Sequence, residues 1–241
     1  MDRRALADAA RAVNRFYEEA AVVPLNGAFG IALDGRPVRT PSGRDLALPG
    51  ALLAEAVADE WNAQAERVNP RSMPLTGLAN AAIDRIAPGT QAFAQGLAAF
   101  GESDLLYYRA EGPAPLVARQ AGLWDPILAW AQQSYDVVFE IAVGVIHMPQ
   151  PPETIARLNA AVAARDPFAL AGLSPLVTIS GSLLVALALA EGAIGLDQGW
   201  AAASLEEQWQ AEQWGEDAEA AAALANRRAD FAAAARFLSL L

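Results

Sequence analysis

From residue 5 to residue 19 apolar side chains recur at helical spacing, with Leu6, Ala9, Val13, Phe16 and Tyr17 on one face, and the pattern predicts a helix. The period then falls to two. Ala28 to Leu33 reads as a strand, Asp34-Gly35 as a hairpin turn, Pro37 to Thr40 as its return, and Leu46 to Leu48 as a third strand after the Pro41-Ser42-Gly43 turn. Helical spacing resumes over 51–64, where Leu53, Val57 and Trp61 form a four-residue ladder. It continues over 75–86 and 90–100, ahead of an aromatic, strand-like piece at 105–109. Glu111-Gly112-Pro113-Ala114-Pro115 is the strongest linker signal and sets an expected domain boundary after residue 112, with Arg71 to Pro74 as the alternative. Further helices are predicted over 116–135, 153–164, 176–191, 197–214 and 217–238, interrupted by an extended or loop stretch from Ile141 to Pro152. The expected fold class is α+β by segregation. A small antiparallel β-meander with helices occupies 1–112, and an all-α orthogonal bundle occupies 113–241.

The stretch Pro167 to Ala190 carries no charge and is the only membrane candidate. Its dense apolar part, Leu183 to Ala190, is too short to cross about 30 Å of hydrocarbon, so a buried core helix is expected. Residues Met1 to Arg15 mix Arg3, Arg4, Arg11 and Arg15 with Asp2 and Asp8 and hold no apolar run, which is unlike a secretory signal. Their Arg-rich character faintly mimics an import sequence to the mitochondrial matrix, against which stand the acids and the absence of Ser. A cytoplasmic location is expected.

Composition narrows the chemistry. With 54% apolar residues and 57 alanines in 241, the chain is folded and helix-rich. It has no Cys, no Lys and a single His, which excludes disulfides, thiolate catalysis, Schiff-base lysines, Walker-type phosphate loops and any two-His metal motif. The net charge of −11 is concentrated: between Asp166 and Asn226 there are nine carboxylates and no Arg. Such a surface repels phosphate, so no nucleic-acid partner is expected, and one with basic or amide-rich edges suits it.

His147 lies in the apolar run Val145-Ile146-His147-Met148 with no G-x-S-x-G elsewhere, and reads as a satisfied or solvent-facing residue before a catalytic base. Glycine-containing pieces do not fit a dinucleotide fingerprint. Paired carboxylates with six Trp leave a glycosidase-like, carboxylate-dependent hydrolase as the enzymatic alternative, although pairing by coincidence is expected among 28 acids. The densest constellation runs from Leu205 through Glu206, Glu207, Trp209, Gln210, Glu212 and Trp214 to Asp217. At helical spacing Trp200, Glu207 and Trp214 fall near one line, so this is either a packed bundle helix with a solvated acidic edge or a face that binds a partner.

Read together with other pieces, that segment resembles the assembly chaperones of the alpha subunit of the F-type ATP synthase catalytic sector, the ATP-twelve type. The matching pieces run in order: Arg15-Phe16-Tyr17, Leu33-Asp34, Thr40-Pro41, Pro49, Glu60-Trp61 with Gln64, and Met73. They continue through Asp84, Asp104, Tyr108-Arg109, Gln120, Trp124-Asp125-Pro126, Trp130, Leu205-Glu206-Glu207, Gln210 and Trp214-Gly215.

The resemblance implies a non-enzymatic chaperone without cofactors, a bacterial relative that is monomeric when free and makes no stable membrane insertion. It implies an alpha-subunit client held until it meets beta. It also implies client contacts at Glu206, Glu207, Gln210, Glu212 and Trp214. Phe16, Asp34, Glu60, Trp61, Asp104, Arg109, Trp124 and Asp125 match the family pattern and read as structural or motif residues, and for Glu60, Trp61, Trp124, Asp125 and also Trp214, buried Trp and capping Asp explain the match without a partner. A helical adaptor for another client is the remaining alternative.

Overall fold

A computed structural model describes residues 13–215 and 217–241. These fall into two compact units, 13–88 with Leu240–Leu241, and 89–239. The division follows Pro88, between the two boundaries read from the sequence. The reason lies in residues 90–107, whose apolar side chains pack into the helices that follow.

The first unit is built on an antiparallel sheet of β1 (Ala20–Leu25), β2 (Ala28–Leu33) and β3 (Arg36–Pro37). The β1–β2 register runs from Ala20 opposite Leu33 to Leu25 opposite Ala28. Two tight turns set it: Asn26-Gly27 with φ of 50° and 82°, and Asp34-Gly35 with φ of 47° and 79°. Both pairs adopt the positive φ that hairpin twist demands and that Asn, Asp and Gly tolerate. Leu46 to Leu48 adds a bridge to Phe29 through two backbone hydrogen bonds of 3.0 and 2.7 Å and no longer strand. Helix α1 (Ala51–Asn62) covers the hairpin, its Leu53 and Val57 buried, and α2 (Pro74–Ala81) continues as a π turn to Ile86.

One expectation fails in the described part of this unit, and one strand was not expected. The helix over 5–19 lies largely outside the described residues, and its described part is extended, with Val13 and Arg15 bonded to Val68 and Glu66 through the backbone. The Arg15 guanidinium fixes that course by donating to the carbonyls of Tyr17 and Glu18. Strand β1 was not anticipated, because Pro24 and two adjacent alanines break the alternation that marks a strand.

The second unit is a helical bundle: α3 (Thr90–Ala98), α4 (Ala114–Tyr135), α5 (Pro152–Ala163), α6 (Pro167–Ser180), α7 (Leu183–Ala190), α8 (Leu196–Trp214) and α9 (Ala218–Ser239). It is not all-α. Residues 105–107 form a 3-10 turn, and β4 (Tyr108–Arg109) pairs in parallel with β5 (Ala142–Val143). Helix α7 is apolar on every side and sits at the centre, Leu183 to Ala188 being fully buried. The uncharged stretch is therefore core, and no helix among the described residues is long and apolar enough to cross a membrane. It is also two helices where one was expected over 176–191. Gly181 closes α6 with a left-handed φ of 68°, and the Ser182 hydroxyl caps α7 by accepting from Val185 N–H at 3.0 Å.

Candidate functional site

Helix α8 leaves the bundle as it proceeds. Trp200, Ala202, Ser204 and Leu205 are buried, whereas Glu206, Gln210 and Glu212 are exposed and Trp214 is 80% exposed. Trp200 and Trp214 share a line on the helix yet not an environment, since Trp200 packs on Phe231 at 5.5 Å while Trp214 faces solvent. A buried Trp214, the structural reading of that residue, is not what the fold contains.

The exposed half of α8 is oriented by α4. The Trp124 indole, fully buried, donates to the Ala202 carbonyl at 3.0 Å. One turn earlier, the buried Gln120 accepts from Ala110 N–H at 2.9 Å and donates to a Glu206 carboxylate oxygen at 2.7 Å. Arg119 pairs with Glu212 at 2.8 Å and lies over the Trp209 ring at 4.9 Å; this pairing holds Glu212 below the usual carboxylate range. Glu207 pairs with Arg227 of α9. Two of the three acids therefore have an arginine partner, while Glu206 has a neutral amide.

Three hollows follow this face. One of about 420 Å³ lies over Leu105, Trp124 and Ala202 and is rimmed by Glu206, Glu207 and Gln210. A second of about 290 Å³ continues past Glu207 and Gln210 to Trp214, Ala221 and Leu224. A third of about 490 Å³ lies on the other side of Glu206, between Tyr108, Arg109, Glu111 and Val145. All five predicted client residues, Glu206, Glu207, Gln210, Glu212 and Trp214, thus share one exposed half-helix, and four of them line these hollows.

The remaining family-pattern residues have local tasks. Asp104 is fully buried and receives Leu106 N–H and Leu184 N–H, both at 3.0 Å, tying the 3-10 turn to the start of α7; burial pushes its carboxyl up to about 6. Arg109 stacks over Trp124 at 5.2 Å and pairs with Asp125 at 2.6 Å, so Asp125 neutralises a half-buried cation from within α4 and caps nothing. In the first unit Glu60 caps α2, accepting from Leu75 N–H at 2.7 Å and from Thr76 N–H and Oγ1 at 2.8 Å. Asp34 receives Glu18 and Glu19 N–H, which hold its carboxyl below the ordinary range. Trp61 is half-buried beneath Tyr17, whose hydroxyl donates to the Trp61 carbonyl at 2.7 Å, and Phe16 is 69% exposed. His147 is exposed, with Nδ1 3.0 Å from the Tyr108 hydroxyl. No group of acids and His able to hold a metal ion occurs among the described residues.

Likeness to known proteins speaks to the family. The ATP12 chaperone protein family model matches residues 14–132. The crystal structure of Atp12 from Paracoccus denitrificans has a TM-score of 0.90 to this chain at 42% identity, covering 94% of this chain and 97% of that one. The chain belongs to the ATP12 chaperone family. A structure from Agrobacterium tumefaciens, at 43% identity and a TM-score of 0.91, covers 99% of this chain and 91% of its own. The mitochondrial protein atp12 of Schizosaccharomyces pombe is 27% identical over 213 residues, 83% of this chain and 73% of that protein. ATP12 proteins are chaperones, a non-enzymatic family, which removes the hydrolase alternative.

Several residues around the exposed face of α8 carried no assigned role in the sequence. Gln120 stood in the ordered pattern, but its bond to Glu206 spans 86 positions and has no local signature. Arg119 and Arg227 fall inside predicted helices and belong to no motif. Glu111 and Val145 read as linker and loop.

Proposed function

We propose that this chain is an assembly chaperone for F-type ATP synthase that binds the unassembled alpha subunit and keeps it from aggregating until it pairs with beta. The contacts lie on Glu206, Glu207, Gln210, Glu212 and Trp214. One observation carries the site: the second half of α8 turns a large indole and three acids to solvent on a helix whose first half buries Trp200, Ala202, Ser204 and Leu205. An 80% exposed Trp has no folding role to offset its exposure, and aromatic residues ringed by polar groups are favoured at reversible protein contacts. An unassembled subunit exposes its interface and aggregates unless covered, and an acidic, hydrated surface allows later release. The same reading makes the free protein a cytoplasmic monomer.

The test is capture of separately expressed alpha and beta subunits by the purified protein, repeated with Glu206, Glu207 and Glu212 reversed to Arg. Alpha is retained and beta is not, and the reversed helix loses alpha while circular dichroism is unchanged. Failure of the unaltered protein to retain alpha removes the proposal.

A further inference from the structure

The segment from Glu140 to Gln150 is a loop with a tied neck. The buried Gln150 amide accepts from Glu140 N–H at 3.0 Å and donates to the Glu140 carbonyl at 2.8 Å. Thr154 Oγ1 donates to the Val138 carbonyl at 2.7 Å, Gly144 N–H donates to the Arg109 carbonyl at 2.8 Å, and β5 is paired with β4. Held at so many points, the backbone nevertheless turns its largest apolar side chains outward. Val143 is 66% exposed, Val145 96%, Ile146 80% and Met148 40%. Apolar side chains presented together by a fixed backbone are the mark of a contact surface.

The charge beside this shelf is specific. Val145 lines the hollow of about 490 Å³ that also holds Arg109, Glu111 and Glu206. Arg109 is neutralised by Asp125 at 2.6 Å. Glu206 receives only the uncharged Gln120 amide, and Glu111 has no ion pair among the described residues. The hollow therefore presents two carboxylates without an ion-pair partner among the described residues, beside an arginine already neutralised by Asp125 and next to exposed Val and Ile side chains.

From this juxtaposition we infer that the loop and hollow bind an apolar polypeptide segment carrying an arginine or lysine. The cation enters between Glu111 and Glu206 while the apolar side chains cover Val143, Val145 and Ile146. An acidic segment meets uncompensated carboxylates, and a wholly polar one leaves the shelf in water, so both are rejected. That the bound segment belongs to the alpha subunit rests on the function proposed above.

The experiment uses the full chain and three labelled short peptides: one alternating Val and Arg, one with Glu for Arg, and one with Ser for Val. Fluorescence anisotropy reads binding to the unaltered protein, to Val145→Ser/Ile146→Ser and to Glu111→Gln/Glu206→Gln. The Val/Arg peptide binds best, and each double substitution weakens it about tenfold or more. The substituted side chains are exposed, and circular dichroism checks that folding is unchanged. Equal binding of the Arg and Glu peptides, or no loss with Val145→Ser/Ile146→Ser, overturns the inference. Capture of alpha subunit by the same proteins separates the two claims. An unaltered protein that binds the Val/Arg peptide selectively but not alpha loses the proposed function and keeps the surface.

Discussion

Glu60 and Asp104 perform the same task in different surroundings, and their substitutions diverge accordingly. Glu60 accepts three hydrogen bonds at the start of α2, so Glu60→Ala leaves those donors unmet and costs about 1–2 kcal/mol, while Glu60→Gln, with one acceptor oxygen, costs less. Urea unfolding midpoints check the order, and an unshifted midpoint for Glu60→Ala would contradict the capping role. Asp104 is fully buried and its carboxyl is pushed up to about 6, chiefly by desolvation. The folded chain then binds the proton more tightly than the unfolded one, so this group's contribution is complete below about pH 4 and lost as pH rises through about 6. Stability is expected to fall by roughly 1 kcal/mol between about pH 5 and pH 7, and Asp104→Asn removes that slope. Asp34 and Glu212, held low by backbone N–H groups and by Arg119, act with the opposite sign at lower pH, through and below about 4. Denaturant titrations at several pH values separate the two. Both capping acids were visible in the sequence as members of an ordered pattern. Their partners were not, because Leu184 lies 80 positions from Asp104 and no periodicity encodes a contact across that span.

Helix α8 shows how far pattern carries at the scale of an element. Its span, 196–214 in the structure against 197–214 in the sequence reading, was legible because Leu, Trp and Ala recur at helical spacing and Gly215 ends the run. Its environment was not legible, since heptad spacing says which residues share a line and not where the bundle stops covering it. Trp200 and Trp214 measure that difference. Trp200→Ala is expected to cost about 3–5 kcal/mol, the usual loss for a buried aromatic, whereas Trp214→Ala changes stability by less than about 0.5 kcal/mol. Chemical denaturation checks both, and a large loss at Trp214 would place its indole in the core. The α6–α7 break teaches a related lesson. An apolar run over 176–191 reads as one helix when Gly181-Ser182 is passed over, although a left-handed glycine followed by a hydroxyl cap is a stop and a start in two residues. In the β-meander the Asp34-Gly35 turn was plain, while β1 was hidden by Pro24, and its own turn, Asn26-Gly27, carries a signal that needs the preceding strand to be noticed.

At the scale of the whole molecule, −11 net charge and an arginine-free stretch from 166 to 226 leave the acids of α8 dependent on arginines from elsewhere in the chain. Arg119 and Arg227 come from α4 and α9 and occupy Glu212 and Glu207, with both partners of each pair close to half exposed. Exposed pairs of this kind contribute at most about 1 kcal/mol each, so they are readily exchanged. Under the proposed function, a basic residue of the client replaces an internal arginine and the reverse exchange accompanies release, which keeps the complex reversible. Arg119→Gln and Arg227→Gln should then strengthen capture of the alpha subunit severalfold, mainly by slowing dissociation, since the acids no longer have an internal competitor. Raising the salt concentration should weaken capture by the unaltered protein, as screening of exposed charges requires. Surface plasmon resonance with immobilised chaperone reads both rates. Weaker capture by the arginine variants would show instead that these pairs hold α8 in its binding geometry, and Glu206, oriented by the uncharged Gln120, would be the acid of the three that meets the client directly.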